Sequence, residues 1–260
     1  MKNLIRYVFS GILIFQFTSM NLFAQDKLSG TIKYQEAIKY NFESILNGRE
    51  NDERVKNWVE SLPTVGENVH NLYFTEKTAV FVEDESEKEA QPPGLQRAMY
   101  AINMGKPPKP KVKDVYYDLA KNKKVDEVEF LTRFFLVESN MGNKAWKLTN
   151  EKKKVLDYTC MGAEISIDGQ TIKAWFTPEI PISLGPGEFY GLPGIILAVE
   201  RNGETAFLAT SVDLAPPSAD LIVKPSKGDE ISQKKFDKIV EEKTKEWEDT
   251  RQKGNNAGKR

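Results

Sequence analysis

Cysteine and histidine are almost missing from this 260-residue chain: each occurs once, as Cys160 and His70. A lone cysteine closes no internal disulfide, so an exported fold of this kind must be held by its apolar core. The same scarcity excludes a Cys/His zinc centre, and no HExxH, GxSxG, P-loop or helix-opening GxGxxG pattern is present. No catalytic residue, metal or cofactor is therefore expected. An excess of positive charge is missing too, with 37 Lys and Arg against 38 Asp and Glu. That balance argues against a nucleic-acid partner. Beyond residue 24 no stretch is apolar enough to span a bilayer.

What is present begins with an address. Lys2 and Arg6 precede an apolar stretch from Tyr7 to Phe17, and Leu22-Phe23-Ala24 ends in a small residue before Gln25. This reads as a signal peptide over 1–24. The alternative, a membrane anchor, needs about 20 apolar residues, and Gln16, Thr18, Ser19 and Asn21 interrupt the run. With no cysteine near the cleavage point, a lipoprotein is not expected, and the mature chain reads as periplasmic or secreted. Loss of Lys2 and Arg6 makes the formal net charge of −1 two units more negative.

Residues 25–250 read as one β-rich domain and 251–260 as a flexible tail. Ser29 to Tyr40 alternates as a strand. Val55, Trp58, Val59 and Leu62 share a helical face that Pro63 ends. His70 to Val82 is strand again. An acidic, Pro-rich excursion fills 84–113, with helical spacing at Leu95, Met99 and Ile102. It reads as a solvated insertion, or as a flap carrying Met99, Tyr100 and Met104 toward a cavity. Val115 to Leu119, Val125 to Glu138, Lys144 to Thr149 and Val155 to Ile167 follow as strands. Asp168-Gly169 and Asn202-Gly203 are hairpin signals, because a type I′ turn needs φ > 0 at both central residues. The expectation is an antiparallel meander of about eight to ten strands, curled to hide its apolar face. Phe236, Ile239, Val240 and Trp247 line one stripe of a helix from about Ser232 to Thr250, which would cover it.

The most unusual stretch lies at Lys173 to Glu200. Ile172 to Thr177 alternates like a half-buried strand, and Ile195 to Val199 is an unbroken apolar run. Between them Pro178, Pro181, Pro186 and Pro193 lock φ, while Gly185, Gly187, Gly191 and Gly194 permit close approach or positive φ. This is a shaped corner. Trp175, Phe176, Phe189 and Tyr190 flank it, as core beneath the loop or as the lining of a pocket mouth.

Gly191-Leu192-Pro193-Gly194-Ile195-Ile196 closely resembles the hexapeptide that names the GLPGLI family of secreted proteins from Gram-negative bacteria, with Ile for Leu at 195. Trp146-Lys147-Leu148-Thr149, Tyr158-Thr159-Cys160, Ala174-Trp175-Phe176-Thr177, Ile180-Pro181 and Gly185-Pro186 extend the resemblance over roughly Tyr116 to Val199. It implies an exported protein and brings no activity with it. By element order alone, a curled sheet with a helical cover resembles the half-barrel of the periplasmic lipoprotein carriers.

Three functions fit. In the first, the corner shapes a non-catalytic site for an apolar ligand, a peptide or an envelope partner such as an outer-membrane transporter. Its residues would be Trp175, Phe176, Pro181, Gly185, Pro186, Phe189, Gly191, Leu192, Pro193 and Gly194. In the second, Asp157, Glu179 and Glu188 serve a carboxylate-dependent hydrolase. In the third, the corner is purely structural and strand edges make protein–protein contacts. His70 reads as a structural histidine and Cys160 as a buried thiol. Adjacent strand residues point to opposite faces, so Cys160 and Met161 do not clasp one ion.

Overall fold

The computed structural model describes residues 28–257, with 89 and 168 left out. The expected signal peptide and the last three residues of the expected tail lie outside the described residues.

β1 (Gly30–Lys39) buries every second residue at its start, with Ile32 and Tyr34 fully enclosed. A single 3-10 turn leads to α1 (Glu53–Glu60), whose N-terminus is capped by Asp52 accepting from Arg54 N and Val55 N. β2 (Val65–Phe74) and β3 (Thr78–Glu83) form a hairpin. The expected single strand from His70 to Val82 is thus two, turned by Thr75, whose hydroxyl accepts from Thr78 N at 3.1 Å. α2 (Leu95–Asn103) follows, and then β4 (Lys111–Asp118), β5 (Lys123–Phe130) and β6 (Arg133–Asn140). β7 (Lys147–Val155), β8 (Tyr158–Ile167) and β9 (Gln170–Thr177) lead into the corner. β10 (Ile195–Arg201) and β11 (Glu204–Asp213) leave it, and β12 (Asp229–Ser232) and α3 (Gln233–Ala257) end the described chain. α3 continues past Thr250 into the expected tail.

All twelve strands belong to one open sheet in the order β12-β6-β5-β4-β3-β2-β1-β11-β10-β9-β8-β7. Every neighbour pair is antiparallel except β12 with β6, where Asp229 faces Phe135. The chain lays down β1 in the middle, works outward to β6, then starts again from the far edge at β7. Ten strand spacings separate β6 from β7, which is about 48 Å in a flat sheet. The connecting residues 141–146 reach only about 25 Å. The sheet must therefore curl, and the half-barrel is a consequence of that short crossover.

Period-two alternation sends Leu72 and Phe74, Ala79 and Phe81, and Val115 and Tyr117 into the concave face with Ile32 and Tyr34. The largest core fills this hollow. A second core joins Val128, Phe130, Phe135 and Val137 beneath Phe236, so the start of α3 covers the β5–β6 flank. A third is helical: Leu95 and Ala98 of α2 pack with Phe42 and Leu62, and Trp58 and Val59 of α1 lean on them. Met99 belongs to this cluster, whereas Tyr100 and Met104 are 73% and 70% exposed. These two side chains thus follow the solvated-insertion reading of the excursion.

Candidate functional site

The corner between β9 and β10 does not stand out from the sheet. It turns into the concave face and becomes its filling. Ile180, Ile182, Leu184, Phe189, Tyr190 and Leu192 are buried members of the main core, interleaved with exposed Pro181, Ser183, Gly191 and Pro193. No regular pairing holds this segment, so its backbone is satisfied internally. Ile182 N donates to Ile180 O at 2.8 Å, Leu184 N to Ile182 O at 2.9 Å and Gly194 N to Leu192 O at 2.8 Å, a series of three-residue turns. Gly191 N donates to Ser183 O at 3.0 Å, Ile195 N to Ile180 O at 3.0 Å and Ile196 N to Leu184 O at 2.9 Å, which close the loop on itself.

Side chains from the rest of the fold then pin it. Tyr34 donates its hydroxyl to Ile196 O at 2.7 Å, Tyr117 to Gly187 O, and Trp146 of the crossover donates its indole N–H to Tyr190 O at 2.9 Å. Two glycines are required by contact. A Cβ on Gly194, at φ +150°, would fall on Thr177 O, and one on Gly185 would stand 2.6 Å from Phe189 O and 2.7 Å from the Ile196 side chain.

Of the ten corner residues, Trp175, Phe176, Gly185, Pro186, Phe189, Leu192 and Gly194 are buried and Pro181, Gly191 and Pro193 exposed. Phe176 points into the concave core with Ala174, while Trp175 lies on the convex side. There its indole N–H meets Glu200 at 2.9 Å, with Lys153 and Lys173 over its ring. The two aromatics of that dipeptide therefore do not share a site. Nor do the three acids. Asp157 and Glu179 are exposed near Tyr158, whereas Glu188 is exposed near Lys144 and Tyr190. His70 stacks on Phe81 at 4.8 Å and meets Glu36 at 2.9 Å. Burial raises the Cys160 thiol to about 11. It is an inert core thiol.

Sequence reasoning missed three charged arrangements. On the concave wall beside the corner, Lys124 and Asp126 form an ion pair with both side chains largely buried, and Asp126 Oδ1 and Ser139 Oγ have no hydrogen-bond partner among the described residues. Lys144 of the crossover lies 5.0 Å over the Tyr190 ring, and burial holds its ammonium below the usual lysine range. Second, Asp114 and Glu127 face each other across β4 and β5, and burial lifts both carboxyls above their ordinary range. The third is a furrow on the convex face. Its two hollows, of about 300 and 250 Å³, share Val125, Glu138 and Lys224. The only sequence signal for the furrow was the apolar–charged alternation of β5, which says nothing about a neighbour as remote as β12.

A family model described as N-glycanase peptide, N-terminal domain, matches residues 116–239. Two solved structures of PNGF-II, in the P21 and C2 space groups, superpose with TM-scores of 0.51 and 0.52 at 14% identity. Each alignment covers 82% of this chain, and 33% and 32% of PNGF-II respectively. The chain thus spans about a third of the length of PNGF-II, and the likeness is one of fold. None of the curated proteins matches the chain.

Proposed function

We propose that this chain is an exported, non-catalytic binding module of the GLPGLI type, which recognises glycan-bearing polypeptide and leaves its covalent structure unchanged. In this reading the motif serves as the internal brace of the half-barrel, and ligands are met on the outside of the sheet. The observation that carries it is the closure of the corner: its backbone groups bond to one another and to Tyr34, Tyr117 and Trp146, and its apolar side chains are core. A loop so occupied supplies shape, while Asp157 and Glu179 beside Tyr158 and Glu188 beside Tyr190 are all exposed, so they form no desolvated acid–base cluster. The choice of ligand class rests on the name of the matched family, a domain at the N-terminus of an N-glycanase. Periplasmic or extracellular residence follows from the signal-peptide reading of 1–24.

Native mass spectrometry of the mature protein tests this, with an N-glycosylated peptide and the same peptide stripped of its glycan. Retention of the glycopeptide alone, at unchanged mass, is expected. Equal retention of both, or of neither, sinks the reading, and release of free glycan would make the protein an enzyme. In that event the opposed Asp114 and Glu127 are the carboxylates to replace first, as Asp114→Asn and Glu127→Gln.

A further inference from the structure

We propose that the convex furrow between β4, β5, β6, β12 and the segment before β12 binds a small carboxylate-bearing saccharide, an acidic sugar. This rests on the binding-module reading and locates its contact.

The two hollows are one furrow, because Val125, Glu138 and Lys224 line both. Its floor is apolar. Val125 and Leu136 are only 6% and 5% exposed although they lie on the outer face of the sheet. The rim alternates in charge. Lys121 pairs with Asp118 at 2.8 Å, Lys123 with Glu138, and Lys224 with Glu230 at 3.9 Å. Lys235, in the first turn of α3, has no ion pair among the described residues, so the lining carries one cation more than it has carboxylates. The first turn of a helix also presents unpaired backbone N–H groups and the positive end of the helix dipole. One end of the furrow therefore suits a single negative charge.

The other end suits hydroxyls. Tyr116, Asp118 and Lys121 offer a phenol, an acceptor and a donor around the second hollow, and Glu138 and Lys224 continue the alternation toward the first. A row of mixed donors and acceptors above an apolar floor matches the hydroxyls and C–H face of a sugar ring. A purely apolar ligand would leave these charges desolvated and unpaired. A ligand with two or more negative charges would meet Asp118, Glu138 and Glu230.

Titration calorimetry of the mature protein with glucuronate, glucose and acetate tests the assignment. Glucuronate is expected to bind at least tenfold more tightly than either of the others, since glucose lacks the charge and acetate the hydroxyls. Lys235→Glu should abolish the preference for glucuronate over glucose, and Tyr116→Phe should weaken glucuronate severalfold. Circular dichroism of each variant confirms the fold. Equal affinity for glucuronate and glucose, equal affinity for glucuronate and acetate, indifference to Lys235→Glu, or no binding of glucuronate at 10 mM (roughly the weakest useful affinity) overturns it. Glycopeptide retention that survives Lys235→Glu would refute this furrow while sparing the binding-module reading. Lys235-dependent glucuronate binding without glycopeptide retention would do the reverse.

Discussion

Two stretches of this chain share a composition and meet opposite fates. The corner at 178–194 and the excursion at 84–113 are both rich in proline and glycine. One is the filling of the half-barrel; the other stays outside it and packs α2 on α1. The difference lies in what stands between the prolines and glycines. The corner carries Ile180, Ile182, Leu184, Phe189, Tyr190 and Leu192, enough apolar surface to repay the ordering of an irregular backbone. The excursion offers one helical turn face, Leu95 and Ala98, and leaves Tyr100 and Met104 in water. Proline and glycine thus permit a shape, and apolar burial decides where that shape resides.

Gly194→Val should break the comparison most severely. It combines a positive φ with a collision against Thr177 O, and a loss above about 4 kcal/mol, or failure to fold, is expected. Gly105→Ala in the excursion, where φ is also positive but the nearest atoms are at ordinary contact distance, should cost only about 1 kcal/mol. Urea unfolding of both variants measures the contrast. If they lose stability equally, the corner is no brace.

Next comes Leu192→Ala, expected to cost about 2–5 kcal/mol because the site is enclosed. Met104→Ala should stay within about 0.5 kcal/mol. A smaller effect isolates the pinning of the corner. Tyr34→Phe removes the donor to Ile196 O and should cost about 1–3 kcal/mol, with the loss appearing as faster amide exchange in 180–196 before other regions.

The smallest effect is one of pH. Cys160 titrates near 11 in the folded protein against an ordinary value of 9.0, because burial disfavours the thiolate. Its contribution to stability is complete below the ordinary value and is lost as pH rises through the folded one. Alkylation by iodoacetamide at pH 8 should accordingly be slow in the native protein and fast in urea, and Cys160→Ser should flatten the alkaline fall in stability.

Strands that alternate, such as β1, and the continuous apolar run of β10 were legible directly, as was the Asn202-Gly203 turn between β10 and β11. Three hairpins were not. Leu131 and Thr132 adopt φ of 50° and 64°, and Leu156 adopts 53°, so turns that usually call for glycine or asparagine are built from residues carrying no turn signal. Thr75 to Thr78 was hidden for the same reason. β12 is four mostly exposed residues paired in parallel with β6, and nothing in Asp229–Ser232 announces a strand. Of the candidate site, the residues that shape the corner were readable and burial of its aromatics was one of two readings, but the way the loop folds into the concave face was not legible. The alternation Ile-Pro-Ile-Ser-Leu does not say which face of which sheet will receive it.

Local sequence signals suffice to make this protein mainly β, to turn its strands back on one another, to follow them with a helix and to interrupt them with a stiff corner. All of these are local: side-chain periodicity, turn chemistry and the φ restrictions of proline and glycine act over a few residues. The tertiary structure alone decided that Thr31 lies beside Asp213, that six residues join opposite flanks of the sheet, that the corner fills the resulting half-barrel, and that Tyr116 and Lys235 border one furrow. Pairing across such separations depends on loop-closure entropy and on how the whole apolar surface can be covered at once, and neither is written in any single stretch of the chain.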